Sequence, residues 1–200
     1  MADKPLFKVK EERITITVPH QSREITFVAP SYGPGTYYEV GEQIDKAGLL
    51  RPTFAETVSL VHSAVQNRDN KYTAKIIKIY RHHVFWGFND LEKRHNEGVL
   101  ISGRNRNICV PFGYKKSEHA LEKLVKNPFV LALAEGKEGA EKLAEIAESC
   151  NVPWDWYFED PDFGVKGAAC LSSNGDGYRL TVLDVLGGDY DGYAYGLQKD

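Results

Sequence analysis

The sequence predicts a mixed α+β protein with a mostly antiparallel sheet. Its strand-like and helix-like segments come in groups, in the order strands, helices, strands, helices, strands, whereas parallel sheets alternate single strands with single helices. With 200 residues, 42% of them hydrophobic, the chain has enough apolar side chains to bury a sizeable core. We therefore predict one domain over 1–200, with a subdivision near 126/127 as the alternative.

The first predicted element is a β-hairpin. Apolar and polar residues alternate over 13–18 and again over 24–28, and the residues between them are typical of a turn. Glycine and proline then interrupt 31–36, which we predict to be a loop. A short helix over 40–47 follows, and Gly48 marks its end.

A helical hairpin is predicted over about 53–82. Thr53 and, three residues later, Glu56 form a capping-box pattern, and apolar residues then recur at helical spacing. A second amphipathic stretch predicts a helix over 72–81. The polar residues 67–70 between the two helices are typical of a short connector.

Strands are predicted again after this hairpin, and a second helical group follows over about 117–150. Aromatic and β-branched residues predict three strands, at 84–88, 98–102 and 107–112. The helical group is predicted to contain three helices: 117–126, a short one that begins with Asn127 and Pro128 and ends at Gly136, and 137–150.

The C-terminal part is predicted to be strands. Trp and Phe alternate with polar residues over 154–158, and a last strand is predicted near 193–197. Between them, 166–172 and 178–185 are predicted to pair around a turn rich in asparagine, aspartate and glycine.

Charge is divided unevenly along the chain. Residues 1–126 contain 20 lysines and arginines against 14 acidic residues, and residues 127–200 contain 5 against 14, so the halves carry +6 and −9. This asymmetry indicates either attraction between the halves or separate surfaces for differently charged partners.

Seven basic side chains are the candidate binding residues: Lys71, Lys75, Lys78, Arg81, His82, Arg104 and Arg106. Four of them recur at i, i+4, i+7 and i+11 in the second predicted helix, on the side opposite its isoleucines, and the two arginines of the later turn could add contacts. Such a stripe can follow the phosphates of a nucleic acid. The simpler interpretation is the solvated side of an amphipathic helix.

Binding of a single-stranded nucleic acid would also require exposed aromatic side chains, on which bases stack. The candidates fall into two groups, one in the Gly/Pro-rich segment and one in a predicted strand: Tyr32, Tyr37 and Tyr38, and Phe85, Trp86 and Phe88. We predict the second group to be core.

Two alternatives use other residues. One is a hydrolase, metal-assisted or not, that combines a carboxylate cluster with a histidine such as His95. Its carboxylates would be Asp155, Glu159, Asp160 and Asp162. The other is a self-associating structural protein whose C-terminal aromatic segment, with Tyr190, Tyr193 and Tyr195, supplies an edge strand or a contact patch.

Several classes of protein lack their signatures. The three cysteines, Cys109, Cys150 and Cys170, form no CxxC pair, and we expect them to be structural. No phosphate loop, GxSxG turn, HExxH motif, secretory signal or apolar membrane segment is present, so we expect no cofactor, no bound metal, no membrane association and a cytoplasmic location.

The leading hypothesis is therefore a non-catalytic binding or regulatory protein. It would present the helix near 71–82 and the turn at 103–107 to an anionic partner, either a nucleic acid or an acidic protein surface. A homo-oligomer is a further expectation, which follows from the aromatic C-terminal segment.

Overall fold

The computed structural model describes residues 8–10, 14–104, 106–114, 117–118, 121–149, 156–157, 166–173, 179–184 and 190–199. The helices within them are α1 (Tyr37–Lys46), α2 (Phe54–Gln66), α3 (Lys71–His82), α4 (Leu121–Leu124), α5 (Pro128–Leu133) and α6 (Lys137–Ser149). The strands are β1 (Lys8–Lys10), β2 (Thr15–His20), β3 (Arg23–Gly35), β4 (Val84–Arg94), β5 (Gly98–Ser102), β6 (Asn107–Val110), β7 (Ser117–Glu118), β8 (Trp156–Tyr157), β9 (Lys166–Ser172), β10 (Arg179–Asp184) and β11 (Gly192–Leu197).

Nine of these strands form one mixed sheet, in which β4 is the branch point. Asp90 of β4 pairs with β5 and with β9, and Phe85 pairs with β11 and with β9. Because a strand has two edges, β11 and β5 lie one after the other along one edge of β4, and β9 lies along the other. β3, β2 and β1 continue the sheet beyond β11, β6 lies beyond β5, and β10 lies beyond β9.

The pairing confirms the predicted fold class. Every pair in the sheet is antiparallel except the short contact between β11 and β4. The hairpin predicted between 166–172 and 178–185 forms as β9 and β10. The C-terminal strand β11 lies between β3 and β4, so the prediction that this segment supplies an edge strand is wrong.

The sheet has a core on each face, because neighbouring side chains of a strand point to opposite sides. Phe85 belongs to the larger core, where the sheet packs against α2, α3, α5 and α6. Trp86 belongs to a smaller core, which α1 covers with Tyr37 and Val40. The larger core contains residues from before and after the predicted subdivision near 126/127, such as Val61 and Leu143.

α2 is the central helix, and twelve of its 13 residues are buried. The predicted capping box is present: the amide of Thr53 donates to the carboxylate of Glu56 over 2.7 Å, and the amide of Glu56 donates to the Thr53 hydroxyl over 3.3 Å. α3 returns along α2 after the predicted connector, which confirms the helical hairpin.

α6 also packs on α2 and runs parallel to it. Lys142 Nζ lies 3.2 Å from Ser59 Oγ, and three residues further along both helices Glu145 Oε2 lies 2.7 Å from His62 Nε2. Because α3 reverses direction at the connector, α3 and α6 run antiparallel to each other on α2.

Two predictions of local structure are wrong. Residues 31–35 continue β3 rather than forming a loop, because β3 and β11 pair with register shifts that leave Pro30 and Pro34 between the paired positions Val28, Tyr32 and Gly35. A proline has no N–H to donate, and such irregularities are where a sheet tolerates it.

The helix predicted over 117–126 is the second error. Ser117 and Glu118 instead pair with Tyr157 and Trp156, and among the described residues of this segment the helical ones are the single turn of α4. A pairing with residues about 40 positions away overrides the local helix propensity.

Among the helices that the structure describes, none is long and apolar enough to cross a membrane.

Candidate functional site

The exposed side of α3 is the most strongly charged surface that the structure describes on a single helix. Asn70 begins this helix by accepting the amide of Tyr72 over 3.0 Å, and Ile76, Ile79 and Tyr80 anchor it in the core. Its outward side chains form a surface that we call the basic face: Lys71, Lys75, Lys78, Arg81 and His82, all of them exposed. The basic face therefore points to solvent, whereas the other side of α3 packs on α2, β4 and β9.

The positive charge of the basic face is not neutralised within the described part of the chain. α3 itself contains no acidic residue. Lys75, Lys78 and Arg81 form no ion pair with another described residue, and the ammonium group of Lys71 lies 4.8 Å from the ring centre of Tyr72. An uncompensated stripe of this kind produces a local positive potential although the whole chain has a net charge of −3.

Arg104 does not share this surface. Its guanidinium donates to both carboxylate oxygens of Glu56, over 3.1 and 3.0 Å, and to the carbonyl oxygen of Arg51 over 2.5 Å. Glu56 lies in the first turn of α2 and is buried. The donors of Arg104 are therefore used inside the molecule.

Arg106 is exposed near the same end of α2. Its charge helps to lower the pKa of Glu135, together with His20, which has the larger effect. The seven predicted binding residues thus belong to two elements: five form the basic face of α3, and two lie in the β5–β6 turn, where Arg104 pairs with the first turn of α2.

The predicted aromatic candidates do not extend the basic face. Phe85, Trp86 and Phe88 are buried, as predicted. Tyr37 is also buried and donates its hydroxyl to Asp90 over 3.2 Å, and this burial raises its pKa. Tyr38 is 45% exposed but belongs to α1, on the other face of the sheet.

A buried polar network joins the end of β2 to α2 and α6, and no local sequence pattern predicts it. His20 Nδ1 and Lys142 Nζ lie 3.0 and 3.2 Å from the hydroxyl of Ser59. Lys142 also contacts Glu138 over 2.7 Å, and His20 Nε2 lies 3.8 Å from Glu135. The residues come from four separate segments, so only the fold brings them together.

The groups around Ser59 resemble those around a catalytic serine, but the Ser59 hydroxyl is not accessible to a substrate. A hydroxyl between an imidazole and an amine is the arrangement of a nucleophile. Ser59, however, is 1% exposed and His20 is 4% exposed, so no substrate reaches the hydroxyl. The network therefore joins secondary-structure elements.

The residues of the hydrolase alternative are only partly described. His95 is exposed in the turn between β4 and β5. Asp155, Glu159, Asp160 and Asp162 lie outside the described residues, so this alternative stays a prediction. Within the described ranges no three His, Cys, Asp or Glu side chains are grouped as metal ligands would be.

The two described cysteines differ in environment. Cys170 is fully buried, and this burial raises its pKa, as expected of a structural thiol. Cys109 is exposed on β6. Cys150 lies outside the described residues.

An open surface cavity of about 500 Å³ lies near α5. Its walls include Phe112, Tyr114 and Pro128, and Lys123 and Asn127 are its polar side chains. This cavity contains no acid or histidine among its described lining residues, so it offers no acid–base pair.

These observations define a mixed α+β protein with a charged helix face and no assembled catalytic centre in its described part. No protein-family model matches the chain, and neither a curated protein nor a solved structure is detectably similar to it.

Proposed function

We propose that this chain is a binding protein and that its basic face contacts the phosphate backbone of a double-stranded nucleic acid. The observation that carries the proposal is the row of exposed cations on α3, which have neither an acidic neighbour in the helix nor a described ion-pair partner. Charges left free in this way are available to a partner outside the chain.

The length of the basic face suits a duplex. Lys71 and His82 are eleven residues apart, which is about 16 Å along a helix. A duplex carries one phosphate charge for about every 1.7 Å of its axis, so a contact of this length faces roughly ten charges. Three or four cations can therefore each find a phosphate without a precise fit.

The chemistry of the face favours binding that is independent of sequence. Lysine is a flexible point charge, whereas base edges are read by the planar groups of arginine, asparagine and glutamine. A single strand would need stacking side chains, and the predicted aromatic candidates lie in the cores or on α1. The backbone of a duplex is the ligand that charge alone recognises.

The test is binding of a fluorescent duplex of arbitrary sequence, measured by anisotropy between about 20 and 200 mM salt. We expect the logarithm of the affinity to fall linearly with the logarithm of the salt concentration, with a slope near −3 for three or four phosphate contacts. The triple substitution Lys71→Gln, Lys75→Gln, Lys78→Gln should weaken binding at least about tenfold at low salt and remove most of that slope.

The matched control makes the same change of charge elsewhere. Lys46→Gln, Lys126→Gln, Lys137→Gln removes three exposed lysines outside α3 and should leave most of the binding in place. If the two triple variants bind equally well, or if wild-type protein does not bind at about 20 mM salt, the duplex is not the partner. Binding of an acidic protein such as poly-glutamate instead of the duplex would assign the face to acidic protein surfaces.

A further inference from the structure

The exposed side of α6 is acidic and matches α3 in length. Four glutamates form a surface that we call the acidic face: Glu138, Glu141, Glu145 and Glu148, all of them exposed. Ala140, Leu143 and Ala147 anchor the other side of α6 in the core. The helix has 13 residues and α3 has 12, so the two charged faces have nearly equal lengths.

The spacings of the two faces are complementary when the helices run antiparallel. The basic side chains at 71, 75, 78 and 82 are separated by steps of 4, 3 and 4, and the glutamates at 148, 145, 141 and 138 by steps of 3, 4 and 3. If Lys71 is placed opposite Glu148, each further basic side chain is therefore offset from its glutamate by no more than one residue, or about 1.5 Å along the helix. Antiparallel contact would form four pairs: Lys71 with Glu148, Lys75 with Glu145, Lys78 with Glu141 and His82 with Glu138.

Both helices hold these residues at the same level of α2. Glu145 contacts His62, and counting back from the connector places Lys75 level with His62 as well. Within one chain, however, no ion pair joins α3 to α6 among the described residues, because both faces point to solvent. A second molecule is needed to bring them together.

We propose that two copies of the chain form a two-fold dimer in which the basic face of each copy contacts the acidic face of the other. The axis runs parallel to α2. A rotation about such an axis leaves the direction and level of every helix unchanged, so α6 of the partner lies antiparallel to α3 in the register given above. The contact then occurs twice, as an isologous interface requires.

Two contacts are needed because one helix pair is small. Stable interfaces bury about 1,200 to 2,000 Å² in total, which is more than one contact between helices of three turns supplies. The pairs are exposed, so the dimer is sensitive to salt. Glu138, Glu141 and Glu145 already contact basic side chains of their own chain, whereas Lys71, Lys75 and Lys78 form no ion pair with a described carboxylate of theirs.

The inference uses the same α3 face as the proposed function, but it does not depend on nucleic-acid binding. A duplex and a second copy would compete for the basic face. Self-association would then keep the face covered until a polyanion displaces the partner. Substitutions in α6 distinguish the two proposals, because the dimer requires the glutamates of the acidic face and duplex binding does not.

The test is the molar mass in solution, by light scattering after size exclusion, at low and high salt. We expect a dimer at about 20 mM salt and a monomer at about 500 mM. Reversal of the basic face by Lys71→Glu, Lys75→Glu, Lys78→Glu, or of the acidic face by Glu141→Lys, Glu145→Lys, Glu148→Lys, should each give a monomer at both salt concentrations.

The decisive sample is the mixture of these two variants. One then has two negative helices and the other two positive helices, so an equimolar mixture should form a one-to-one dimer, and the chain with all six substitutions should dimerise alone. A monomer in the mixture, or a wild-type monomer at low salt, would overturn the proposal. Glu141→Lys, Glu148→Lys is the second acidic-face variant, since it leaves the contact between His62 and Glu145 in place.

Duplex binding by the acidic-face variant distinguishes the two proposals. If the proposed function holds, this variant binds the duplex at least as well as wild type whether or not wild type dimerises. A wild-type protein that is monomeric at low salt but binds the duplex would refute the inference alone, and a wild-type dimer that does not bind the duplex would refute the proposed function alone.

Discussion

The guanidinium of Arg104 holds both carboxylate oxygens of Glu56, a glutamate with only 3% of its surface exposed. The amide of Thr53 also donates to this carboxylate, and Arg23 lies 3.7 Å from it. The first turn of the most buried helix thus contains a charge that depends on a residue of the β5–β6 turn. A buried charge that loses its partner is costly, and this cost can be measured.

Arg104→Ala should lower the free energy of unfolding by about 2 to 3 kcal/mol, because the carboxylate of Glu56 stays buried with fewer donors. Urea unfolding at neutral pH measures this change. Arg106→Ala is the control, since this neighbouring arginine is exposed, and it should change the stability by less than about 0.5 kcal/mol. Equal effects of the two substitutions would show that the Glu56 pair does not stabilise the fold.

Lys142→Met should lower the free energy of unfolding by about 1 to 3 kcal/mol. The side chain of Lys142 is 13% exposed, and its ammonium donates to Ser59 and to the carbonyl oxygen of Pro19 besides pairing with Glu138. Methionine keeps most of the apolar stem but leaves these acceptors without the donor.

The control for this prediction is Lys137→Met, one and a half turns earlier on α6. Lys137 also pairs with a glutamate, but its side chain is 79% exposed. Exposed pairs of this kind contribute about 0.3 to 0.5 kcal/mol, so the control should lose no more than that. Thermal unfolding of both variants gives the comparison, and a similar loss in both would contradict the role of the buried network.

Glu135 should make the stability depend on pH in the acid range. His20 is the main cause that holds the pKa of Glu135 below its ordinary value, and burial opposes it. A carboxyl with a lowered pKa in the folded state stabilises the fold above the unfolded pKa of about 4.3, and this contribution is lost as the pH falls through the folded pKa.

Glu135→Gln should therefore unfold more easily than wild type, by roughly 1 kcal/mol, at pH 6, and the difference should shrink toward zero below about pH 4. Denaturant unfolding at several pH values measures it. The exposed Glu122→Gln serves as the control. A difference that stays constant down to pH 3 would mean that the charge of Glu135 is not responsible.

Local patterns predicted those parts of the fold that local chemistry determines. The capping box of Thr53 and Glu56, the proline after Asn127, and the alternation over 13–18 each predict a backbone that the residues themselves favour. The basic face of α3 was predictable for the same reason, because helical spacing alone places its lysines on one side.

The remaining features depend on residues that are distant in sequence. Nothing near Pro34 indicates that the strand around it will pair with β11, and nothing near Ser117 indicates that it will pair with β8. The sequence also could not separate Arg104 from the lysines of α3, because its partner Glu56 is 48 positions away. The match between the charges of α3 and α6 requires their direction on α2, which only the contacts of Ser59 and His62 reveal.

The position of β11 between β3 and β4 has a consequence for biosynthesis. A ribosome makes β1–β3 first, yet the seam that joins them to β4 consists of residues 192–197, which are made about 157 positions after Gly35, the partner of Gly192. The edge of β3 that pairs with β11 therefore stays unpaired while about 157 further residues are translated, and such edges are prone to wrong pairing. We expect chaperones to engage the nascent chain during this interval.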